Sequence, residues 1–231
     1  MDPRGLRLFL EPLARWKSSD MMEVGPGLGV ITRYASLIAS RIVAVELDPI
    51  LALHLRESMP DNVIVVRGDG LDHVQSTSLS LLYSNTPYNI SSPLVAVIAR
   101  NNNITYSILG VQLELARRML ARPGSEDYGR LTLLVNRYFH VRLVGVIPRR
   151  SYYPEPEVSG AVVELSRRRV WVDGDEQFED LTRCLFTGRN RRAVKMASKC
   201  LGVGEEKLSW LGERRVRDLS LEDVERLLAT T

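Results

Sequence analysis

The stretch "EVGPGLGVITRYASLIAS", residues 23–40, limits the fold more than any other part of the chain. It sets Gly25, Gly27 and Gly29 at alternate positions between a short apolar segment, residues 20–24, and a helical-period stretch, residues 31–39. A strand that ends in a glycine turn and runs straight into a helix opens a βαβ unit, whose next strand lies parallel to the first. The alternation continues. Residues 42–45 read as a second strand, 49–57 as a helix and 63–66 as a third strand, followed by strands at 79–83 and 104–111. This pattern predicts a parallel sheet covered by helices. The β-branched segments 141–147 and 158–165 predict a closing antiparallel pair, joined by the proline-rich loop "PRRSYYPEPE".

The pattern changes after Trp171. From Phe178 onward only helices are expected, with Ser220-x-x-Asp223 as a capping box for a last helix over 221–228. Two domains follow: residues 1–170 as an α/β domain and residues 171–231 as a small helical one. The chain has 231 residues, 45% of them hydrophobic and 26% charged, enough for a sizeable core. No apolar run approaches the ~18 residues that span a bilayer, and the first twenty residues lack the order of a signal peptide, so a cytoplasmic protein without membrane contact is expected.

The net charge of +3 is modest but uneven. Arg149-Arg150, Arg167-Arg168-Arg169 and the run Arg189, Arg191, Arg192, Lys195, Lys199 load the second half with cations, which suits a polyanion such as RNA as well as a solvated surface. Cys184 and Cys200 have no metal-ligand spacing and are expected to be reduced packing residues. His54, His73 and His140 are scattered, and no metal is expected.

Three strand ends carry chemistry. The second predicted strand ends at "VELDP", so Glu46 stands about twenty residues after the first glycine, where a carboxylate accepts both hydroxyls of a ribose. The third ends at "RGDGL", where Asp69 can accept from an adenine amine. The G-x-G-x-G spacing, preceded by Glu23, differs from the G-x-G-x-x-G of dinucleotide sites and looks like the first motif of S-adenosylmethionine-dependent methyltransferases, whose cofactor brings an ammonium that suits a nearby acid. After the fourth strand comes "NTPYNISSPL". The amide oxygen of Asn85 and the carbonyl of Pro87 can accept from a planar exocyclic amine, with Tyr88 stacking on its ring. Such an amine is a poor nucleophile because its lone pair is delocalised. Two acceptors that draw its hydrogens out of plane localise that pair, and no strong base is needed.

These segments resemble the small-subunit ribosomal RNA adenine dimethyltransferases (the KsgA family), relatives of the erythromycin-resistance methylases. "EVGPGLGVIT", "VELDP", "GDGL", "NTPYNISSPL", "VQLELARRMLARPGSEDYGRLTLL" and "SYYPEPEVSGAVVEL" are similar to its successive motifs, and "RRVRDLSLEDVERLL" to its end. The resemblance implies a Rossmann-like class I methyltransferase sheet with a small C-terminal helical RNA-docking domain. It implies S-adenosylmethionine as cofactor, with Glu46 on its ribose, Asp69 and Gly70 at its adenine, and Gly25, Gly27 and Gly29 beneath its methionine portion beside Glu23. Asn85 would then face both cofactor and substrate, while Asn85, Pro87 and Tyr88 hold the target amine and Tyr152 covers the other face of a flipped adenine. The implied partner is the small-subunit ribosomal RNA of a ribosomal precursor, the implied state a monomer, and the implied reaction a double methylation.

Three departures are visible. Thr86 stands where leucine or isoleucine is usual, the helical domain is short, and the sequence starts after a Gln-x-Phe-Leu segment that family members carry, which predicts a more open cofactor site. An assembly factor with weak catalysis and a methylase of large-subunit RNA remain alternatives.

Overall fold

The structure is a computed structural model that describes residues 1–87 and 89–230. Seven strands form one sheet: β1 (Asp20–Val24), β2 (Arg41–Glu46), β3 (Val63–Arg67), β4 (Leu81–Asn85), β5 (Tyr106–Gln112), β6 (Phe139–Ile147) and β7 (Gly160–Arg167). Their order is β3-β2-β1-β4-β5-β7-β6. The first five are parallel where they pair, and β7 runs antiparallel to both β5 and β6. The expected closing pair is therefore present, with β7 inserted between β5 and β6. This is the Rossmann-like methyltransferase sheet.

The helices α1 (Pro3–Ala14), α2 (Val30–Ala35), α3 (Pro49–Ser58), α4 (Gly70–Ser76), α5 (Ser91–Arg100) and α6 (Leu113–Leu120) accompany the sheet in chain order. Residues 1–19 had no predicted element; they form α1, whose start is fixed by Asp2, its carboxylate accepting from Gly5 N at 2.8 Å ahead of a proline in the first turn. Phe9 and Leu13 of α1 are buried with Met21, Tyr83, Ile108, Ile147 and Val162. That shared core fixes the sheet edge on which the candidate site stands. Arg167, counted above with the basic surface, is instead a structural cap. Its guanidinium donates to the carbonyls of Ile98 (2.6 Å), Ala99 (3.1 Å), Asn101 (2.8 Å) and Ile104 (2.7 Å), satisfying the end of α5.

The chain packs as two compact units, Met1–Ala116 with Phe139–Val170, and Arg117–Tyr138 with Trp171 onward. The expectation of a single cut near residue 170 is corrected here: residues 117–138 pack with the helical unit. The reason is α7 (Arg130–Tyr138), whose Leu133 lies in one core with Phe178, Leu181 and Leu185 of α8 (Asp175–Phe186), Ala197 of α9 (Ala193–Leu201) and Leu227 of α10 (Leu221–Leu228). Tyr128 secures the preceding loop, its hydroxyl donating to Leu219 O at 2.6 Å. The capping box at Ser220 and Asp223 is formed as expected.

Inside this helical unit the reading of the cysteines is also corrected. Cys184 on α8 and Cys200 on α9 form a disulfide across a Cα–Cα distance of 5.9 Å. Spacing along the chain does not show the pair's proximity; two packed helices bring the cysteines within bridging range. Closing a loop with a sequence separation of 16 residues stabilises such a unit by about 3 kcal/mol through the unfolded chain.

Candidate active site

Because β1 to β4 are parallel, the segments after Val24, Glu46, Arg67 and Asn85 all leave the sheet at its carboxyl edge, the usual place for a ligand in an open α/β sheet. Two cavities open there. The larger, about 590 Å³, is lined by Gly25, Gly27, Glu46, Leu47, Asp48, Pro49, Asp69, Gly70, Pro87, Asn89 and Ile90, with Val24, Val45 and Leu51 at its base. The smaller, about 220 Å³, is lined by Asn85, Thr86, Pro87, Tyr152, Pro154 and Pro156. Pro87 is common to both.

The glycine turn is pinned and preorganised. Gly25, Gly27 and Gly29 all have positive φ. At Gly27, φ is +59° and a Cβ would meet nothing within 4 Å, so the bare backbone faces open cavity. Glu46, only 7% exposed, holds this turn: Oε2 accepts from Gly27 N and Oε1 from Asp48 N, each at 3.0 Å. Each oxygen keeps further acceptor capacity. Asp69 caps α4, Oδ1 accepting from Leu71 N at 2.7 Å, and Asp48 caps α3. Asp48, Leu47 and Pro49 are cavity residues that the motif reading passed over; the extended "ELDP" turn between β2 and a capped helix was the available signal.

Two expected cofactor residues lie elsewhere. Gly29 is buried at the start of α2, where a Cβ would collide with Leu55 and Met59, so it serves close packing and does not line the cavity. Glu23 lies beneath the turn, 1% exposed, accepting from the Tyr83 hydroxyl at 2.8 Å. Burial raises its pKa to about 7, with the neighbouring Glu46 charge acting in the same direction and the Tyr83 hydrogen bond opposing. Asn85, expected at both ligands, lines only the smaller cavity.

The smaller cavity depends on side chains. Asn85 ends β4 in register with Gly110 of β5; a Cβ on Gly110 would lie 2.7 Å from Asn85 Oδ1 and 2.5 Å from Phe9 Cζ. Gly110, overlooked above, is therefore what lets the amide sit there, and a lone glycine within a strand was its sequence signal. The end of β4 is fastened to β1 by Ser84 Oγ donating to Val24 O at 2.7 Å and by Thr86 Oγ1 donating to Ser84 Oγ at 3.0 Å. The Pro87 carbonyl already accepts from Ile90 N (3.1 Å) and Ser91 Oγ (3.3 Å). Tyr152 packs against Gly160, at which a Cβ would stand 2.2 Å from the tyrosine oxygen. Tyr88 lies outside the described residues.

The basic run divides in the helical unit. Arg189 donates to Ser125 O (2.8 Å) and Glu126 O, and Arg192 pairs with Glu213, whereas Arg191, Lys195 and Lys199 are exposed, the two lysines one turn apart on α9.

Comparison with known proteins agrees with this geometry. The ribosomal RNA adenine dimethylase family matches residues 7–228. A probable ribosomal RNA small subunit methyltransferase A of Aeropyrum pernix is 45% identical over 190 residues, 81% of this chain and 69% of that protein. The crystal structure of a dimethyladenosine transferase from Plasmodium falciparum shares the fold with a TM-score of 0.82 at 23% identity, over 99% of this chain and 95% of that one. The 23S rRNA methyltransferase ErmE gives a TM-score of 0.71 at 26% identity, over 100% and 98%. With its motifs in order and the match running almost from end to end, the chain belongs to the ribosomal RNA adenine dimethylase family.

Proposed function

We propose that the protein transfers two methyl groups in succession from S-adenosylmethionine to the exocyclic amine of adenines in small-subunit ribosomal RNA. The observation that carries this is the pair of cavities sharing Pro87, one lined by Gly27, Glu46 and Asp69 and the other by Asn85 and Tyr152. The larger cavity fits the cofactor: its volume suits a ligand of that size, Gly27 offers bare backbone, and Glu46 and Asp69 offer acceptors for ribose hydroxyls and an adenine amine. When bound, S-adenosylmethionine supplies an electrophilic methyl group on a positively charged sulfur.

The chain's own residues do the rest. Asn85 Oδ1 accepts one hydrogen of the target amine and turns the nitrogen lone pair out of the ring plane. The second acceptor is the carbonyl of Thr86, which lines the same cavity, since that of Pro87 is engaged by Ile90 and Ser91. Tyr152 stacks on the flipped base and offsets part of the cost of unstacking it. The described residues of this cavity include no carboxylate, in keeping with an amine that loses its proton only after alkylation. Arg191, Lys195 and Lys199 contact phosphate, and the protein acts as a monomer in the cytoplasm.

Undermethylated small and large ribosomal subunits, incubated with the protein and labelled cofactor, test this. Dimethyladenine in the small subunit is expected. Label confined to the large subunit would favour the reading suggested by the likeness to ErmE, and binding without transfer would leave an assembly factor.

A further inference from the structure

We propose that Ser84 and the hydroxyl of Thr86 are positioning groups that hold the target amine at a set distance from the cofactor methyl, a reading that rests on the function proposed above. Asn85 lies between them in the chain. Residues two apart on an extended segment leave on the same side, and here the two hydroxyls that flank Asn85 meet. Thr86 Oγ1 donates to Ser84 Oγ at 3.0 Å, and Ser84 Oγ donates onward to Val24 O at 2.7 Å. Ser84 is 0% exposed and Thr86 3%, so water does not compete for either bond. Thr86 stands where leucine or isoleucine is usual, and neither of those side chains can donate.

The relay stands where the sheet parts. On one side β4 pairs with β5 as far as Asn85↔Gly110, and Thr86 N still donates to Gly110 O at 3.0 Å. On the other side the register with β1 runs Met22↔Leu82 and Glu23↔Tyr83. The boundary between β1 and β4 is the switch point of the strand order, where parallel neighbours separate to open a ligand crevice. One residue beyond that register, the bond from Ser84 to Val24 ties the two strands by a side chain. Val24 and Gly25 line the larger cavity, Asn85 and Thr86 the smaller. The two hydroxyls therefore join the base of one cavity to the acceptors of the other.

The reaction gives this tie its use. The amine lone pair forms the bond to the methyl carbon as the carbon–sulfur pair returns to sulfur, and the surplus amine proton then passes to solvent. Nitrogen and carbon must first stand about 3–3.5 Å apart and in line, and a misplacement of about 1 Å costs on the order of a hundredfold in rate. Asn85 Oδ1 and the Thr86 carbonyl hold the nitrogen, while the end of β1 forms part of the wall behind the cofactor. The hydroxyls act on the separation through the backbone they anchor.

The test compares wild type with Thr86→Val, Thr86→Ser, Ser84→Ala and the double variant of Ser84→Ala with Thr86→Val, on undermethylated small ribosomal subunits, at a temperature where circular dichroism shows each protein folded. Thr86→Val keeps the branched shape and removes the donor. Its kcat is expected to fall about tenfold, with cofactor Kd by calorimetry and KM for the subunit within about twofold of wild type. Thr86→Ser restores the hydroxyl and should run severalfold faster than Thr86→Val. Ser84→Ala should lose at least as much rate as Thr86→Val, and the double variant no more than Ser84→Ala, because both changes break one relay. Should Ser84→Ala not fold, the two Thr86 variants decide. Wild-type kcat in Thr86→Val, equal losses in Thr86→Val and Thr86→Ser, losses that multiply in the double variant, or a matching loss of cofactor affinity overturns the inference while the proposed function stands. A wild-type protein that transfers no methyl group overturns the proposed function, and this inference with it.

Discussion

The two cavities at the carboxyl edge are built from different material. The polar material of the larger is backbone and acids bonded to backbone: a turn of positive-φ glycines, Glu46 held by Gly27 N and Asp48 N, and Asp69 acting as a helix cap. All of it comes from the ends of the first three strands, Pro87 and the residues just beyond it excepted. The smaller joins the end of β4 to a loop more than sixty residues later in the chain, and each wall is a particular side chain. A site of the first kind is set by strand order and turn geometry; one of the second kind rests on single residues. Substitutions should therefore separate the two functions cleanly.

The largest separation is expected at Asn85. Asn85→Ala removes an acceptor that matters most as the nitrogen becomes nucleophilic, and losing one preorganised contact of this kind costs on the order of a hundredfold or more in rate. Cofactor affinity, measured by calorimetry, should change by less than about twofold because Asn85 lines only the base cavity. A parallel loss of cofactor affinity would join the two sites and break the comparison.

Glu46→Ala should do the reverse. A hydrogen bond to a charged group contributes about 1.5–3 kcal/mol, so losing the ribose contacts together with the bracing of Gly27 N should weaken cofactor binding by roughly 100-fold or more. RNA affinity, measured without cofactor, should hold. The result that sinks this assignment is a cofactor isotherm matching wild type.

Beneath the larger cavity, Glu23 tests whether a buried acid is a structural cost there. Its folded pKa of about 7 is raised above the ordinary value of 4.5, so the folded state holds a proton that the unfolded chain releases between those two values. Its contribution to stability is full below pH 4.5 and is lost as pH rises through 7, with a slope of at most about 1.4 kcal/mol per pH unit. Denaturant titrations across this range should show the slope in wild type and lack it in Glu23→Gln. Equal slopes would mean that Glu23 is ionised throughout.

What the sequence made legible follows the same division. The strands, their parallel direction and the acids at their ends could be read because apolar period, glycine and carboxylate recur at fixed spacing in successive βαβ units. That Asn85 and Tyr152 meet was implied only by family resemblance, since β7 enters between β5 and β6 and no local pattern announces it. That residues 130–138 form α7, and which core it joins, was likewise not read, since even a periodic apolar face does not name a partner. The Cys184–Cys200 bridge was missed because it depends on how α8 and α9 pack. The packing of Gly29 was hidden for a related reason, as its spacing resembles that of Gly27 while its surroundings are Leu55 and Met59.

The smallest effect is expected at the tyrosine oxygen of Tyr152. If stacking is what this residue provides, Tyr152→Phe keeps the ring in the cavity and should change the methylation rate and RNA KM by less than about threefold, whereas Tyr152→Ala should raise KM about tenfold or more. Gly160 sharpens the point. A Cβ there would stand 2.2 Å from the tyrosine oxygen but 3.1 Å from the adjacent ring carbon, so Gly160→Ala should displace the tyrosine ring and disturb a phenylalanine much less. The pair forms a double-mutant cycle: Gly160→Ala should raise RNA KM severalfold in the wild-type background and little in Tyr152→Phe, with cofactor affinity constant in all four proteins. If Tyr152→Phe costs as much as Tyr152→Ala, the hydroxyl and not the ring carries the function, and the smaller cavity is no stacking site for a flipped base.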